Sequence, residues 1–312
     1  MFVLRRVLWM VPVVFFVILI TFVLAHLAPG SPWDRGAGRQ LSAAVIHNRN
    51  VTYGLDKPYW QQFLVYIWNV AHLNFGLSFQ FQDQSVSGLL LAGWPYTLTL
   101  GLTAFCLIVP VGILLGVVAA LRQNSKVDYI ATAFATLGAT IPNFVIAILL
   151  IIVLGVGARN ATGGNLWLPF SGIGLDSRLI LPVIAISALP IAYVARLTRA
   201  STLEILRQEY VRTAWAKGLP ERLVIGRHVL LNALIPVITA LGPIFAFLLT
   251  GSVIIETVFS IPGIGSTFVT AVNARDYPMI LATTILFSFV IAAVNLVVDI
   301  LYVVIDPRVR LS

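Results

Sequence analysis

The chain has 312 residues, of which 59% are hydrophobic and only 10% are charged. An ordinary soluble domain carries roughly 25% charged residues, so the composition predicts an integral membrane protein. The net charge of +8 is spread over several loops and forms no basic stripe with interleaved aromatic residues, which argues against nucleic-acid binding. The single cysteine, Cys106, excludes an intrachain disulfide and a cysteine-based metal site, and the four histidines share no ligand spacing.

The first apolar run extends from Val7 to Ala28, directly after Arg5 and Arg6. It is long enough to span the hydrocarbon core of a bilayer, which takes ~20 apolar residues. A signal peptide is the alternative interpretation, but its apolar core is typically only ~7–15 residues long. The run therefore predicts a first transmembrane helix.

A polar region follows at residues 29–93 and opens with the helix-stopping sequence Pro29-Gly30-Ser31-Pro32. We expect it to lie outside the bilayer. Within it, Pro58 fits the first turn of a helix. Two interpretations of that helix stay open: it packs on the bundle or lies in the membrane interface, where Trp and Tyr concentrate, or it contacts a solute-delivering partner. The residues that recur at helical spacing along it are Trp60, Phe63, Leu64, Ile67, Trp68 and Ala71.

Five further apolar runs predict transmembrane helices, and Pro142 near the middle of the second of these predicts a kink. The fold class is therefore an all-α membrane protein with six transmembrane helices. Both termini are predicted to be cytoplasmic, because most Lys and Arg residues then lie on the inner side. The runs lie at about 96–121, 129–156, 179–200, 231–255 and 279–304.

Three regions result from this topology. Residues 1–28 form the N-terminus and first transmembrane helix, and residues 29–93 form an extracytoplasmic region between helices 1 and 2. Residues 94–312 form a five-helix core with a cytoplasmic loop at 200–230.

The longest charged segment runs from Glu209 to Pro236, within and after that loop. Ser201 or Thr202 is predicted to cap a helix that leads into it. Another helix is predicted to follow a sharp corner, and the whole segment is predicted to face the cytoplasm. The residues expected on one apolar face of the first helix are Leu203, Leu206, Tyr210 and Ala214.

The corner itself is predicted from Gly218, which fits the left-handed position past a helix C-terminus, and from Pro220, which fits the first turn of the next helix. Ala214 and Ala216 keep the corner slim, so that the surface of another protein can approach the backbone closely. A docking surface for a soluble protein is the functional interpretation, and a solvated basic turn is the alternative. The residues that supply charge for orienting a docked protein are Arg212 and Lys217.

The run from Tyr210 to Gly218, YVRTAWAKG, resembles the cytoplasmic loop of the inner-membrane permease subunits of binding-protein-dependent ABC importers, in the dipeptide/oligopeptide/nickel branch. Arg212 and Thr213 stand where the general signature of the family has glutamate and alanine. The long region between the first two helices resembles the first of the two permeases in these systems. Further similar runs are Tyr53–Pro58, Gly251–Phe259, Ile261–Gly263, Asp276–Pro278 and Asp306–Arg308.

The resemblance implies a type I ABC importer permease-like fold that forms half of the translocation pathway in a prokaryotic inner membrane. It also implies a second homologous permease, one or two cytoplasmic ATPase subunits, an extracytoplasmic solute-binding protein and membrane lipid as partners. The cargo would be peptides or related small solutes, and no substrate-contacting residue is predicted. The residues implied to dock on the ATPase as a coupling loop are Tyr210, Arg212, Thr213, Ala214, Trp215, Ala216, Lys217, Gly218, Leu219 and Pro220.

The sequence lacks a Gly-x-x-x-x-Gly-Lys-Ser/Thr motif, so ATP and magnesium are expected on the partner ATPases and the chain itself is expected to be no enzyme and to hold no cofactor. A stand-alone secondary transporter or channel is the rival interpretation. It would use Glu256, expected at the outer mouth, and Asp299, expected near the inner end of its helix. An intramembrane hydrolase is disfavoured, because no Ser/His or paired-Asp arrangement stands at membrane depth.

Overall fold

Helices account for most of the residues that the computed structural model describes, which are residues 2–33, 42–81, 84–165, 167–172, 174 and 176–305. For residues 2–5, 7, 299 and 301–305 the backbone alone is described. The helices are α1 (Phe2–Leu27), α2 (Ala43–Tyr53), α3 (Tyr59–Ala71), α4 (Val86–Leu121), α5 (Lys126–Thr140), α6 (Asn143–Leu150), α7 (Ala158–Ala161), α8 (Ile180–Leu206), α9 (Glu209–Ala216), α10 (Glu221–Leu223), α11 (Leu231–Thr250), α12 (Val253–Val258), α13 (Ile264–Asn273) and α14 (Tyr277–Ile305).

Six segments of the described chain are long and apolar enough to cross a bilayer, which confirms the predicted all-α, six-span fold class. Wider π-helical turns at Ile151–Gly157 and Val224–Leu230 continue two of them without a break. The six segments are Leu8–Leu27, Val86–Leu121, Asn143–Ala161, Ser177–Leu206, Glu221–Val258 and Tyr277–Val298.

The third predicted span, at about 129–156, was wrong in its boundaries. The helix breaks at Ile141, whose backbone is extended (φ −85°, ψ 123°), and a new helix starts at Asn143. The cause is Pro142, because the residue before a proline is pushed out of the helical region. Helix α5 is therefore a separate element, capped by the Ser125 hydroxyl, which accepts a hydrogen bond from the Asp128 N–H.

The predicted helix cap at Ser201 or Thr202 was also wrong, because α8 runs through both residues without a break. Both side chains are buried. The Ser201 hydroxyl donates a hydrogen bond of 2.7 Å to the carbonyl oxygen of Ala233 in α11. Inside a continuous helix the N–H groups that a cap would satisfy are already bonded to the preceding turn, so Ser201 caps nothing and instead joins α8 to α11.

The described residues divide into two compact units. The first contains residues 1–95 and 263–293, and the second contains residues 96–262 and 294–312. The boundaries predicted at residues 28 and 93 concern membrane topology and stay a prediction.

The first unit is held together by an aromatic cluster and by one buried carboxylate. The rings of Trp33, Phe79 and Tyr277 are buried, and the Phe79 ring contacts both of the others. Asp276 is buried beside them, and its carboxylate accepts hydrogen bonds from the Ser78 hydroxyl and from the backbone N–H groups of Gln80 and Met279. Because three donors satisfy this carboxylate, it fixes the turn that precedes α14.

The second unit is organised around α8, whose residues from Leu181 to Thr202 include many that are fully buried. Glycines let α4 approach its neighbours at backbone distance. A Cβ added to Gly116 would lie 2.5 Å from the carbonyl oxygen of Ala195, and one added to Gly101 would lie 2.6 Å from that of Leu248. Small residues at such crossings are typical of helix packing in membranes, where van der Waals contact replaces the hydrophobic effect.

An ion pair joins α5 to α8 in this unit. Arg199 donates two hydrogen bonds of 2.7 Å to Asp128, from Nε to Oδ1 and from Nη2 to Oδ2. The Asn124 N–H donates a third, of 3.0 Å, to Oδ2. Asp128 is 5% exposed and Arg199 30% exposed. The arrangement is therefore a bidentate, partly buried pair, which is the strong form of an ion pair.

The Arg199 hydrogen bonds, opposed by burial and helped by the Asn124 N–H, lower the pKa of Asp128 from 3.8 to about 2. Because the pKa is lower in the folded state, the pair contributes its full stabilisation above about pH 4 and loses it as the pH falls towards 2. The pair is ionised throughout the physiological range, so it acts as a permanent connection and not as a pH switch.

We expect Asp128→Asn to lower the free energy of unfolding by about 2 kcal/mol, between the values typical of exposed and of buried pairs. Thermal unfolding of the detergent-solubilised chain, followed by tryptophan fluorescence, measures the change. Asp176→Asn is the matched control, because it breaks an ion pair of 2.9 Å with Arg178 that is half exposed. Equal midpoints for the two variants would contradict the structural role of Asp128.

Candidate functional site

The predicted corner lies between α8 and α10. Helix α8 ends at Leu206, and Gln208 adopts an extended backbone (φ −70°, ψ 146°) before α9 begins at Glu209. After α9, Gly218 has φ +73°, which confirms the predicted left-handed position. Pro220 is extended and immediately precedes α10, one residue earlier than the first-turn position that we predicted. We call residues 209–220 the corner segment.

The inner face of the corner segment packs on the helical residues that follow it, from Val224 to Leu230. Val211 and Ala214 are buried in a cluster with Val224 and Val229, and Leu219 packs against it. Backbone hydrogen bonds close the turn, from the Gly218 N–H to the Trp215 carbonyl (2.9 Å) and from the Leu219 N–H to the Ala214 carbonyl (3.4 Å). The corner segment is therefore a fixed part of the second unit.

The outer face of the corner segment is exposed and carries two aromatic rings that alternate in sequence with two positive charges. Tyr210 is 42% exposed and Trp215 is 44% exposed. Large aromatic side chains and arginine are the residues that most often dominate binding energy at protein interfaces. The exposed members of the predicted coupling loop are Tyr210, Arg212, Thr213, Trp215, Ala216, Lys217, Gly218 and Pro220.

Two details of the predicted helix face were wrong. Tyr210 does not share an apolar face with Leu206 and Ala214, because the extended Gln208 ends one helix and resets the phase of the next. Val211 takes the buried position in its place. Ala214 lies on the inner face against the chain itself, so Ala216 alone keeps the exposed side of the corner slim.

One member of the Asp128–Arg199 pair is close in sequence to the corner segment, because Arg199 lies on α8 seven residues before its last residue. Sequence analysis singled out neither member of this pair. A signal was present: Asp128 is an acidic residue directly after the basic turn formed by Arg122 and Lys126. An acid in such a place has cations to pair with, but the sequence does not say which.

The two acids of the rival interpretation differ in what the structure describes. Glu256 in α12 is fully buried, and it accepts a hydrogen bond of 3.0 Å from the Thr97 hydroxyl. It therefore takes part in the packing of the second unit and is not open to solvent. The side chain of Asp299 lies outside the described part of the chain, as do Asp306, Pro307 and Arg308.

Comparison with known proteins places the chain in a family. Residues 112–311 match the family described as "Binding-protein-dependent transport system inner membrane component", and residues 1–101 match the N-terminal region of such membrane components. The oligopeptide transport system permease protein OppB of Salmonella typhimurium is 42% identical over 311 residues, which cover 99% of each chain. The dipeptide transport system permease protein DppB of Bacillus subtilis is 41% identical over 292 residues, or 94% of this chain and 92% of that one.

Solved structures agree on the fold. A chain of the MetNI methionine ABC transporter in an inward-facing conformation has a TM-score of 0.57 at 16% identity, covering 70% of this chain and 97% of that chain. A chain of an amino acid ABC transporter solved with histidines has a TM-score of 0.51 at 18% identity, covering 69% and 94%. With two family regions that account for most of its length, and with relatives that match from end to end, the chain belongs to the family of inner membrane components of binding-protein-dependent transport systems.

Proposed function

We propose that this chain forms half of the translocation pathway of an ATP-driven ABC importer, and that its corner segment docks on a cytoplasmic ATPase subunit. The observation that carries the proposal is the two-sided corner segment. Its inner face is fixed by Val211 and Ala214, while its outer face leaves Tyr210 and Trp215 exposed. A rigid element with exposed aromatic anchors and flanking cations suits a protein partner better than it suits plain solvation.

The corner segment is connected to the membrane helices by a short path. Only Arg207 and Gln208 separate α9 from α8, and α8 is tied to α5 by the Asp128–Arg199 pair and to α11 by Ser201. A displacement of α9 by a docked ATPase is therefore passed to three helices of the second unit. In the proposed mechanism, ATP binding brings two ATPases together, and the displaced helices turn the pathway from inward-open to outward-open.

ATP and magnesium act on the partner ATPases in this proposal, and this chain contributes the docking surface and the pathway. The termini and the corner segment face the cytoplasm, because the basic residues concentrate on that side. A second homologous permease completes the pathway, and an extracytoplasmic binding protein delivers the solute. Peptides are the proposed cargo, since the relatives described above are oligopeptide and dipeptide permeases.

Co-purification tests the assembly. The tagged chain, solubilised gently from its native membrane, is expected to bring down a second permease and one or two ATPases whose activity rises when the binding protein is added. Tyr210→Ala combined with Trp215→Ala should reduce ATPase recovery while the second permease is retained. Trp167→Ala is the control, because Trp167 is 41% exposed but lies on a loop far from the corner segment in sequence. Recovery of the chain alone would contradict the proposal.

Gly218 tests the geometry of the docking surface. A Cβ at Gly218 has no atom within 4 Å, so the backbone conformation alone opposes a side chain there. The left-handed conformation costs a non-glycine residue roughly 1–2 kcal/mol, and more for a β-branched one. We therefore expect Gly218→Val to lower uptake about tenfold or more while the chain still inserts.

The matched control for that variant is Gly226→Val, since Gly226 is also surrounded by open space but lies in a helical segment with ordinary backbone angles. Uptake of labelled peptide into cells and the amount of inserted chain are measured for both variants. Normal uptake by Gly218→Val would remove the corner segment from the mechanism.

Glu256→Gln separates the importer from an ion-driven transporter. A glutamine side chain keeps the acceptor for the Thr97 hydroxyl but cannot carry a proton or a negative charge. We expect the variant to retain most of its uptake, and uptake to persist when ionophores collapse the ion gradients but to stop when ATP is depleted. Loss of uptake in the variant, together with sensitivity to ionophores, would favour the secondary transporter.

A further inference from the structure

Helix α3 packs lengthwise on α1 in the first unit. The ring of Tyr59 lies 5.3 Å from that of His26, and the ring of Phe63 lies 5.2 Å from that of Phe22 and 6.0 Å from that of Phe15. As the chain advances along α3, its contacts therefore move back along α1. The two helices run antiparallel, and α3 returns beside the first membrane-spanning segment.

The contacts of Phe63 give the depth of α3. Phe15 and Phe22 both lie in the candidate span Leu8–Leu27. At about 1.5 Å per residue, they stand ~18 Å and ~8 Å from the end of that span. A leaflet's hydrocarbon layer is about 15 Å thick, half of the ~30 Å core. The ring of Phe63 consequently lies at a level that belongs to the acyl chains.

The three faces of α3 differ in chemistry. One face carries Tyr59 and Phe63 against α1, and a second face lines a cavity of about 430 Å³ in the first unit. The cavity-lining members of α3 include Gln62, Tyr66 and Asn69. The third face points away from the protein and contains Trp60, Leu64 and Trp68, which are 62%, 57% and 68% exposed.

The exposed face of α3 is suited to lipid. Trp60, Leu64 and Trp68 follow one another at intervals of four residues, so they form one continuous stripe. None of the 13 residues of α3 is charged. Helix α1, on which α3 packs, also has exposed apolar side chains, since Phe16 and Ile20 are each 56% exposed. Helix α2 offers a contrast, because its exposed residues include His47 and Asn48.

We propose that α3 is embedded in one leaflet of the bilayer, at the end of the membrane where α1 finishes, with Trp60, Leu64 and Trp68 in contact with phospholipid. The exposed face of α3 thus has lipid as its partner. On the opposite side of α3, Gln62 and Asn69 contact water in the polar cavity. With the topology proposed above, this is the extracytoplasmic leaflet. The inference itself depends only on the packing of α3 against α1 and not on what is transported.

Spin-label accessibility tests the proposal on the full chain in its native complex, reconstituted in vesicles of phosphatidylethanolamine and phosphatidylglycerol. In a Cys106→Ser background, single labels are placed through Trp60→Cys, Leu64→Cys and Trp68→Cys. Phe16→Cys on α1 is the lipid-facing reference, and Asn48→Cys on α2 is the water-facing reference. Collisions with oxygen, which dissolves in acyl chains, are compared with collisions with a water-soluble nickel chelate.

The three α3 labels are expected to collide with oxygen several-fold more than with the nickel chelate, as the Phe16→Cys label does. Nickel accessibility equal to that of Asn48→Cys would overturn the proposal, and so would shielding from both reagents, which would mean that a protein covers this face. A second measurement needs no cysteine: Trp60→Phe with Trp68→Phe should reduce the part of the tryptophan fluorescence that brominated phospholipids quench. An unchanged quenched fraction would also overturn the proposal.

Discussion

A membrane interior offers no water to backbone N–H and C=O groups, and that constraint explains most of this structure. In its apolar segments the chain satisfies these backbone groups by forming helices. Even where the helices change their winding, at Ile151–Gly157 and Val224–Leu230, the backbone remains helical. Three of the places where the helical backbone stops in the second unit are Ile141 directly before Pro142, Gln208 before α9 and Gly251 after α11.

Hydropathy predicted the number of membrane-spanning helices because a segment that crosses the bilayer must be apolar as well as helical. The number of spans, the helix that follows Pro58 and the left-handed turn at Gly218 could all be predicted from local residue patterns, whereas the third span was predicted with the wrong boundaries. The extension of α8 through Ser201 could not, because a hydroxyl that caps a helix and one that bonds to another helix look identical in sequence. The partner of Ser201, Ala233, is 32 residues away.

The candidate site shows the same division between local and long-range information. The corner is a local feature, whereas the burial of Val211 in preference to Tyr210 depends on the helix phase that Gln208 resets. The pairing of Asp128 with Arg199 joins residues 71 positions apart, and no local pattern specifies it. Sequence thus located the corner segment, but packing decides which of its side chains face outward and which helices it is joined to.

The burial of Val211 and Ala214 makes the corner segment rigid. A rigid segment transmits a displacement from a docked protein to the membrane helices, and equally from the membrane helices to the docked protein. Linkage requires that two coupled sites change each other's affinity by the same factor. In the proposed importer, a docked ATPase that favours one arrangement of α8 is itself bound more tightly when another ligand favours that arrangement. A binding protein at the far side of the membrane could therefore alter ATPase affinity without touching it. A loose corner would absorb that free energy in its own motion, and the fixed one described here passes it on.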